Sequence, residues 1–129
     1  MVAYLAAALG GGLGALARWG VSEGLPRDPG GWPWATLLVN VLGCFLLGLL
    51  IARVLDRSPA SPWLRPFLAT GVLGGFTTWS AFAVETVQLA DAGRSGAAAS
   101  YVLASVAGGV LAAALGQLAG RGPAREPVP

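Results

Sequence analysis

The chain has 129 residues, 55% of them hydrophobic and 11% charged, with eight basic and six acidic side chains for a net charge of +2. A soluble domain carries about 25% charged residues, so this chain cannot cover its own surface in water and reads as an integral membrane protein of one domain. Histidine is absent and cysteine occurs once, which removes the commonest general base and imidazole metal ligand and excludes an intrachain disulfide.

A membrane span needs about 20 mostly apolar residues, and four such stretches follow one another. The first covers residues 2–21. No Lys or Arg precedes it, so it reads as a retained span rather than a signal peptide. Residues 23–31 form a loop rich in Pro, Gly and charge. The second span covers residues 34–55 and ends among Arg53, Asp56 and Arg57. The SPASP run at 58–62 is a turn that cannot continue a helix. The third covers 63–89, residues 91–96 are a polar loop, and the fourth covers 97–118. Residues 1–119 thus make one four-helix transmembrane domain, and the Pro-rich, charged 120–129 is expected to be a disordered tail.

Trp19, Trp32, Trp34 and Trp63 fall near span ends, as an aromatic belt requires, whereas Trp79 lies deep in the third span. All eight basic residues are arginines. Arg53, Arg57, Arg65, Arg121 and Arg125 collect on one side, with Arg27 and Arg94, and Arg18 nearby, on the other. This bias favours both termini in the cytoplasm and does not itself indicate dual insertion. The scattered arginines form no basic cluster, so they point to topology and lipid headgroups rather than to nucleic acid. Gly11, Gly14 and Arg18 share one helical stripe, and Gly108, Ala112 and Gly116 another. Small residues at that spacing let helices pack closely.

The run GVLGGFTTWSAF at 71–82 sets three glycines, two threonines and a serine inside an apolar span. Each glycine costs a helix roughly 0.8–1 kcal/mol relative to alanine. Backbone freed at membrane depth must be satisfied within the protein or in a water-filled cavity, so the third span is expected to break there, as helices do where an ion or small solute is handled.

Several other polar residues lie at membrane depth. Arg18 either snorkels to headgroups or pairs with a charge. Asn40, two turns into the second span, either bonds another helix or turns its two N–H donors to an anion. Thr77, Thr78 and Ser80 bond back to their own helix or line a path. Trp79 and Phe82, one turn apart, offer positive ring edges to an anion. Tyr101, Ser105 and Gly109 share a stripe whose two hydroxyls either pack or line the same path. Glu85, the one carboxylate well inside a span, is either functional or paired with an arginine.

Three ordered motifs resemble a known family across essentially the whole chain. GGxxGAxxR is carried by Gly11, Gly14, Ala15 and Arg18, with Trp19 in place of the usual tyrosine. NxxGxFxxG stands at Asn40, Gly43, Phe45 and Gly48. GGxTTFSxF stands at Gly74, Gly75, Thr77, Thr78, Ser80 and Phe82, with Trp79 where the family has phenylalanine, and Glu85 follows. This looks like the Fluc/CrcB family of small fluoride channels. The resemblance implies a multi-pass protein of the inner or plasma membrane that passively exports cytoplasmic fluoride and confers fluoride resistance. It implies an antiparallel, dual-topology dimer of four-helix subunits with two pores and a central structural sodium ion. By position, backbone carbonyls of Gly74 and Thr77 would hold the sodium. Asn40, Trp79, Phe82, Thr78, Ser80, Tyr101 and Ser105 would line the fluoride path, and Arg18 and Glu85 would be vestibule or structural charges. Partners would be fluoride, the bilayer and a second copy of the chain, with no nucleic acid. Gly109 departs from the hydroxyl residue expected there.

The arginine bias and Trp79 motivate a variant in which this chain is one half of a heterodimer with a homologous subunit. A small proton-coupled multidrug exporter would need a carboxylate in the first span, and residues 1–19 contain none. A non-conducting assembly subunit would rest on the small-residue faces alone. No nucleophile–base pair, metal cluster or phosphate loop marks an enzyme.

Overall fold

The computed structural model describes residues 1–28, 30–55 and 61–121. The tail expected at 120–129, apart from its first two residues, and most of the SPASP turn lie outside them. Four helical stretches are long and apolar enough to cross a membrane, and no strand occurs among the described residues.

Helix α1 spans Val2–Gly24 and α2 spans Trp34–Leu50, continued by a π-helical turn, Ile51–Leu55. At 23 residues and 1.5 Å per residue, α1 is about 34 Å long, enough for the hydrocarbon layer. The third span starts with a π-helical segment, Pro66–Leu73, whose proline sits where its missing N–H costs nothing. A short turn, α3 (Gly74–Phe76), ends it, and α4 (Trp79–Asp91) resumes after two extended residues. Helix α5 spans Ser95–Gly120.

The α4–α5 turn follows from its sequence. Gly93 adopts φ +72°, its N–H donates to Ala90 O at 3.0 Å, and the Arg94 N–H donates to Leu89 O at 3.0 Å. This pair of bonds satisfies the last carbonyls of α4, and the left-handed residue they need favours glycine.

Helix α1 packs on the π segment and α3, α2 packs on α5, and α4 leans on the N-terminal half of α5. Backbones meet at glycines. A Cβ on Gly14 would stand 2.8 Å from Phe76 N, and one on Gly116 would stand 2.9 Å from Leu49 N. The predicted stripe on the last helix is therefore a real seam, centred on the buried Gly109, Ala112 and Gly116, with Gly108 at its edge. Among the described residues a compact cluster of buried side chains sits at one end of the bundle, where Phe82, Leu89, Ala98 and Tyr101 gather under Trp32 and Leu37. Elsewhere Leu5, Leu9, Leu16, Leu103 and Leu111 are more than half exposed. Such a surface suits lipid or another protein, not water.

Candidate functional site

The third span breaks where its glycines and threonines predicted. Thr77 (φ −82°, ψ 161°) and Thr78 (φ −149°, ψ 118°) are extended, so the helix opens for two residues and restarts at Trp79. Much of the freed backbone finds a protein partner. Leu73 O accepts the Thr77 N–H and the Thr77 hydroxyl, each at 3.0 Å. Thr78 caps α4 by accepting the Ala81 N–H at 3.2 Å, and its hydroxyl lies 3.3 Å from Ser80 Oγ. Asn40 pins the break from the neighbouring helix: its Nδ2 donates to Thr78 O at 2.9 Å, and its Oδ1 accepts the Thr78 N–H at 2.8 Å. From α1, Arg18 Nε donates to Gly75 O at 3.1 Å. Arg18 is thus tied to the break rather than extended to headgroups. Gly43 makes room for this arrangement, because a Cβ there would collide with the Thr77 methyl.

None of these bonds reaches the carbonyls of Gly74 or Thr77 among the described residues. Gly74 is exposed, and its carbonyl would ordinarily accept the Thr78 N–H, which Asn40 has taken. Two uncommitted carbonyl oxygens at one helix break fit a hard cation.

Beside the break, a groove of about 560 Å³ runs between α2, the third span and α5. Its walls are mostly apolar, with Asn40, Thr78 and Ser105 among the few polar residues. Ser105 Oγ is buried and has no hydrogen-bond partner. Asn40 has spent one N–H and its carbonyl on Thr78, which leaves it one N–H. One Asn40 N–H and the Ser105 hydroxyl are thus without a protein partner among the described residues beside this groove. Phe82 is buried in its wall, and Trp79, 77% exposed at the start of α4, stands with its ring centroid 5.1 Å away. Trp79 is deep in the span but not in the core. The single cysteine, Cys44, is half-buried in the groove wall opposite Gly109.

The structure separates two residues from this group. Ser80 is exposed and touches the site through Thr78. Tyr101 is fully buried and turns its hydroxyl to Glu85 Oε2 at 2.9 Å rather than into the groove. Its ring packs 5.4 Å from Phe82, so it backs the groove wall. Glu85 also accepts the Thr36 hydroxyl on Oε1 at 2.9 Å and faces Arg27 Nη1 at 3.9 Å. The carboxylate is thus paired with an arginine and bonded by two hydroxyls. Thr36 and Arg27 escaped the sequence reading. Thr36 had a signal, since it lies four residues before Asn40 and so shares its helix face. Arg27 had none, being a loop residue with no periodicity.

Comparison with known proteins agrees with the motifs. The profile of the family described as CrcB-like protein, Camphor Resistance (CrcB), matches residues 5–117. A protein of Mycolicibacterium paratuberculosis named fluoride-specific ion channel FluC 1 is 47% identical over 103 residues, 80% of this chain and 78% of its own. One of Nocardia farcinica, named fluoride-specific ion channel FluC 2, is 46% identical over 121 residues, 94% of this chain and 84% of its own. One of Paracoccus denitrificans, named fluoride-specific ion channel FluC, is 46% identical over 119 residues, 92% and 94% of the two chains. That family comprises ion channels, not enzymes. With four membrane-spanning helices and matches that cover nearly its whole length, the chain is a multi-pass plasma-membrane protein and a member of the CrcB family.

Proposed function

We propose that the chain forms a fluoride-selective channel that lets cytoplasmic fluoride leave passively. The observation that carries this reading is the unpartnered, buried hydroxyl of Ser105, a residue in the wall of a groove that Asn40 also lines with one N–H to spare. A buried hydroxyl without a partner costs about 1–3 kcal/mol, and an anion that accepts from it removes that cost. Fluoride is small and strongly hydrated, so a path for it must replace water with close donors. The edges of Phe82 and Trp79 add positive quadrupole. An inside-negative potential then drives the anion outward by about 2.3 kcal/mol per charge per 100 mV.

The functional unit in this reading is an antiparallel dimer with two such paths. The apolar exposed faces and the exposed Gly74 support an assembly beyond one chain. The carbonyls of Gly74 and Thr77 would hold a sodium ion, and an inverted second copy would double two oxygens to four. Bound there, the ion would supply positive charge to join the two helix breaks. Glu85 is already engaged by Thr36, Tyr101 and Arg27, which argues against its use as the proton carrier of an exporter.

The test is fluoride efflux from liposomes that contain this chain alone, read with a fluoride electrode beside chloride efflux. Rapid fluoride loss with chloride retained is the expected result. An equal, slow leak of the two anions refutes the channel. Fluoride flux that appears only when a homologous subunit is added would replace the homodimer by the heterodimer.

A further inference from the structure

We propose that Arg27 is a positioning residue for anion passage: from the first loop, its guanidinium cancels the Glu85 carboxylate that would otherwise repel an anion from the adjoining end of the groove. The inference rests on the channel reading.

Glu85 lies behind the groove wall. Its Oε2 holds the Tyr101 hydroxyl, and the Tyr101 ring packs against Phe82, which lines the groove. The hydroxyls of Thr36 from α2 and Tyr101 from α5 hold the carboxylate in place. Neither carries charge, so neither removes its field. Arg27 is the cation facing it, with Nη1 3.9 Å from Oε1. Two further bonds aim the guanidinium, Nε to Gly31 O at 2.8 Å and Nη1 to Gln88 Oε1 at 3.1 Å. Among the described residues Arg27 is the cation that comes within ion-pair distance of Glu85; Asp28, in the same small crevice, is negative, and Arg94, which keeps its charge, is bonded to Gly30 O instead.

A purely structural Arg27 would merely strap the first loop to α4. The two roles differ in their response to salt. At an effective dielectric constant of about 20, a bare unit charge lowers the occupancy of an anion ~10 Å away roughly tenfold. In open solution such a field reaches about 30 Å in ~0.01 M salt and about 3 Å in ~1 M salt, and a partly buried carboxylate keeps part of that dependence.

Fluoride efflux from liposomes is therefore measured for wild type, Arg27→Gln, Arg27→Lys and Arg27→Glu, at low and high concentrations of an impermeant salt. At low salt, Arg27→Gln should slow efflux about tenfold and Arg27→Glu more. At high salt the Gln defect should shrink, though by less than for an exposed charge, because the Glu85 side chain is only 18% exposed. Arg27→Lys, which keeps the charge and loses the fork, should stay within about threefold of wild type. Wild-type flux from Arg27→Gln in low salt overturns the inference. So does a defect equal at the two salt concentrations or shared by Arg27→Lys. A wild-type chain that passes no fluoride overturns the channel reading, and this inference with it.

Discussion

Replacing Ser105 by alanine should make the protein more stable and the channel worse. The Ser105 hydroxyl is buried without a partner, which costs the fold about 1–3 kcal/mol. Ser105 also lies in the middle of α5, where alanine has the better helix propensity by about half a kcal/mol. Deleting one oxygen leaves only a small void, so a net gain of about 0.5–2 kcal/mol is expected. If the hydroxyl donates to fluoride, the lost bond to a charged partner is worth about 1.5–3 kcal/mol, or a ten- to hundredfold fall in flux. Thermal unfolding in detergent, followed by size-exclusion recovery, reads the first quantity, and liposomal fluoride efflux reads the second. Ser105→Thr restores a hydroxyl and should recover part of the flux. A destabilised alanine variant would mean that the oxygen has a partner within the fold. Unchanged flux would mean that it does not face the path. Either result refutes the argument.

Asn40→Ala removes both bonds to Thr78 and should cost about 2–4 kcal/mol in the same thermal assay. Faster hydrogen exchange at the Thr78 amide, with flux lost, checks the origin of that cost. Gly116→Ala places a methyl 2.9 Å from Leu49 N and closer still to the Phe45 carbonyl. Backbone must move, so about 1–3 kcal/mol of destabilisation is expected, and wild-type thermal stability would count against the α2–α5 seam. Trp79→Phe keeps a ring beside Phe82 and removes bulk from an exposed position, so flux should hold or rise. A folded Phe variant that conducts nothing would show that the indole itself is required.

Much of the architecture was legible because it depends on local chemistry. In a bilayer every backbone polar group must be satisfied internally, so long apolar runs have to be helices. Gly74, Gly75, Thr77 and Thr78 weaken the third helix on any reading, and the chain does open there. The ends are set by more than hydropathy. The first span continues three residues past position 21, to Gly24, before a Pro-rich loop stops it, and the last runs from Ser95 to Gly120 rather than over 97–118. Polar residues such as Ser22 and Ser95 do not end a helix by themselves.

What each polar side chain bonds to was not legible, because that depends on which helices become neighbours. Composition and order alone placed Asn40, Arg18, Glu85, Tyr101 and Ser105 at membrane depth. Tertiary packing divided them. It set α2 against the break, so Asn40 spends half its amide on Thr78, and it brought α1 close enough for Arg18 to reach Gly75. It turned Tyr101 to Glu85 and left Ser105 alone at the groove wall. Hydropathy and backbone propensity act within one segment, so the order of residues is enough for four spans and a break in the third. Which polar groups brace that break and which stay free depends on packing, because a hydrogen bond needs its partner within about 3 Å, and Asn40 and Arg18 reach the break from other helices.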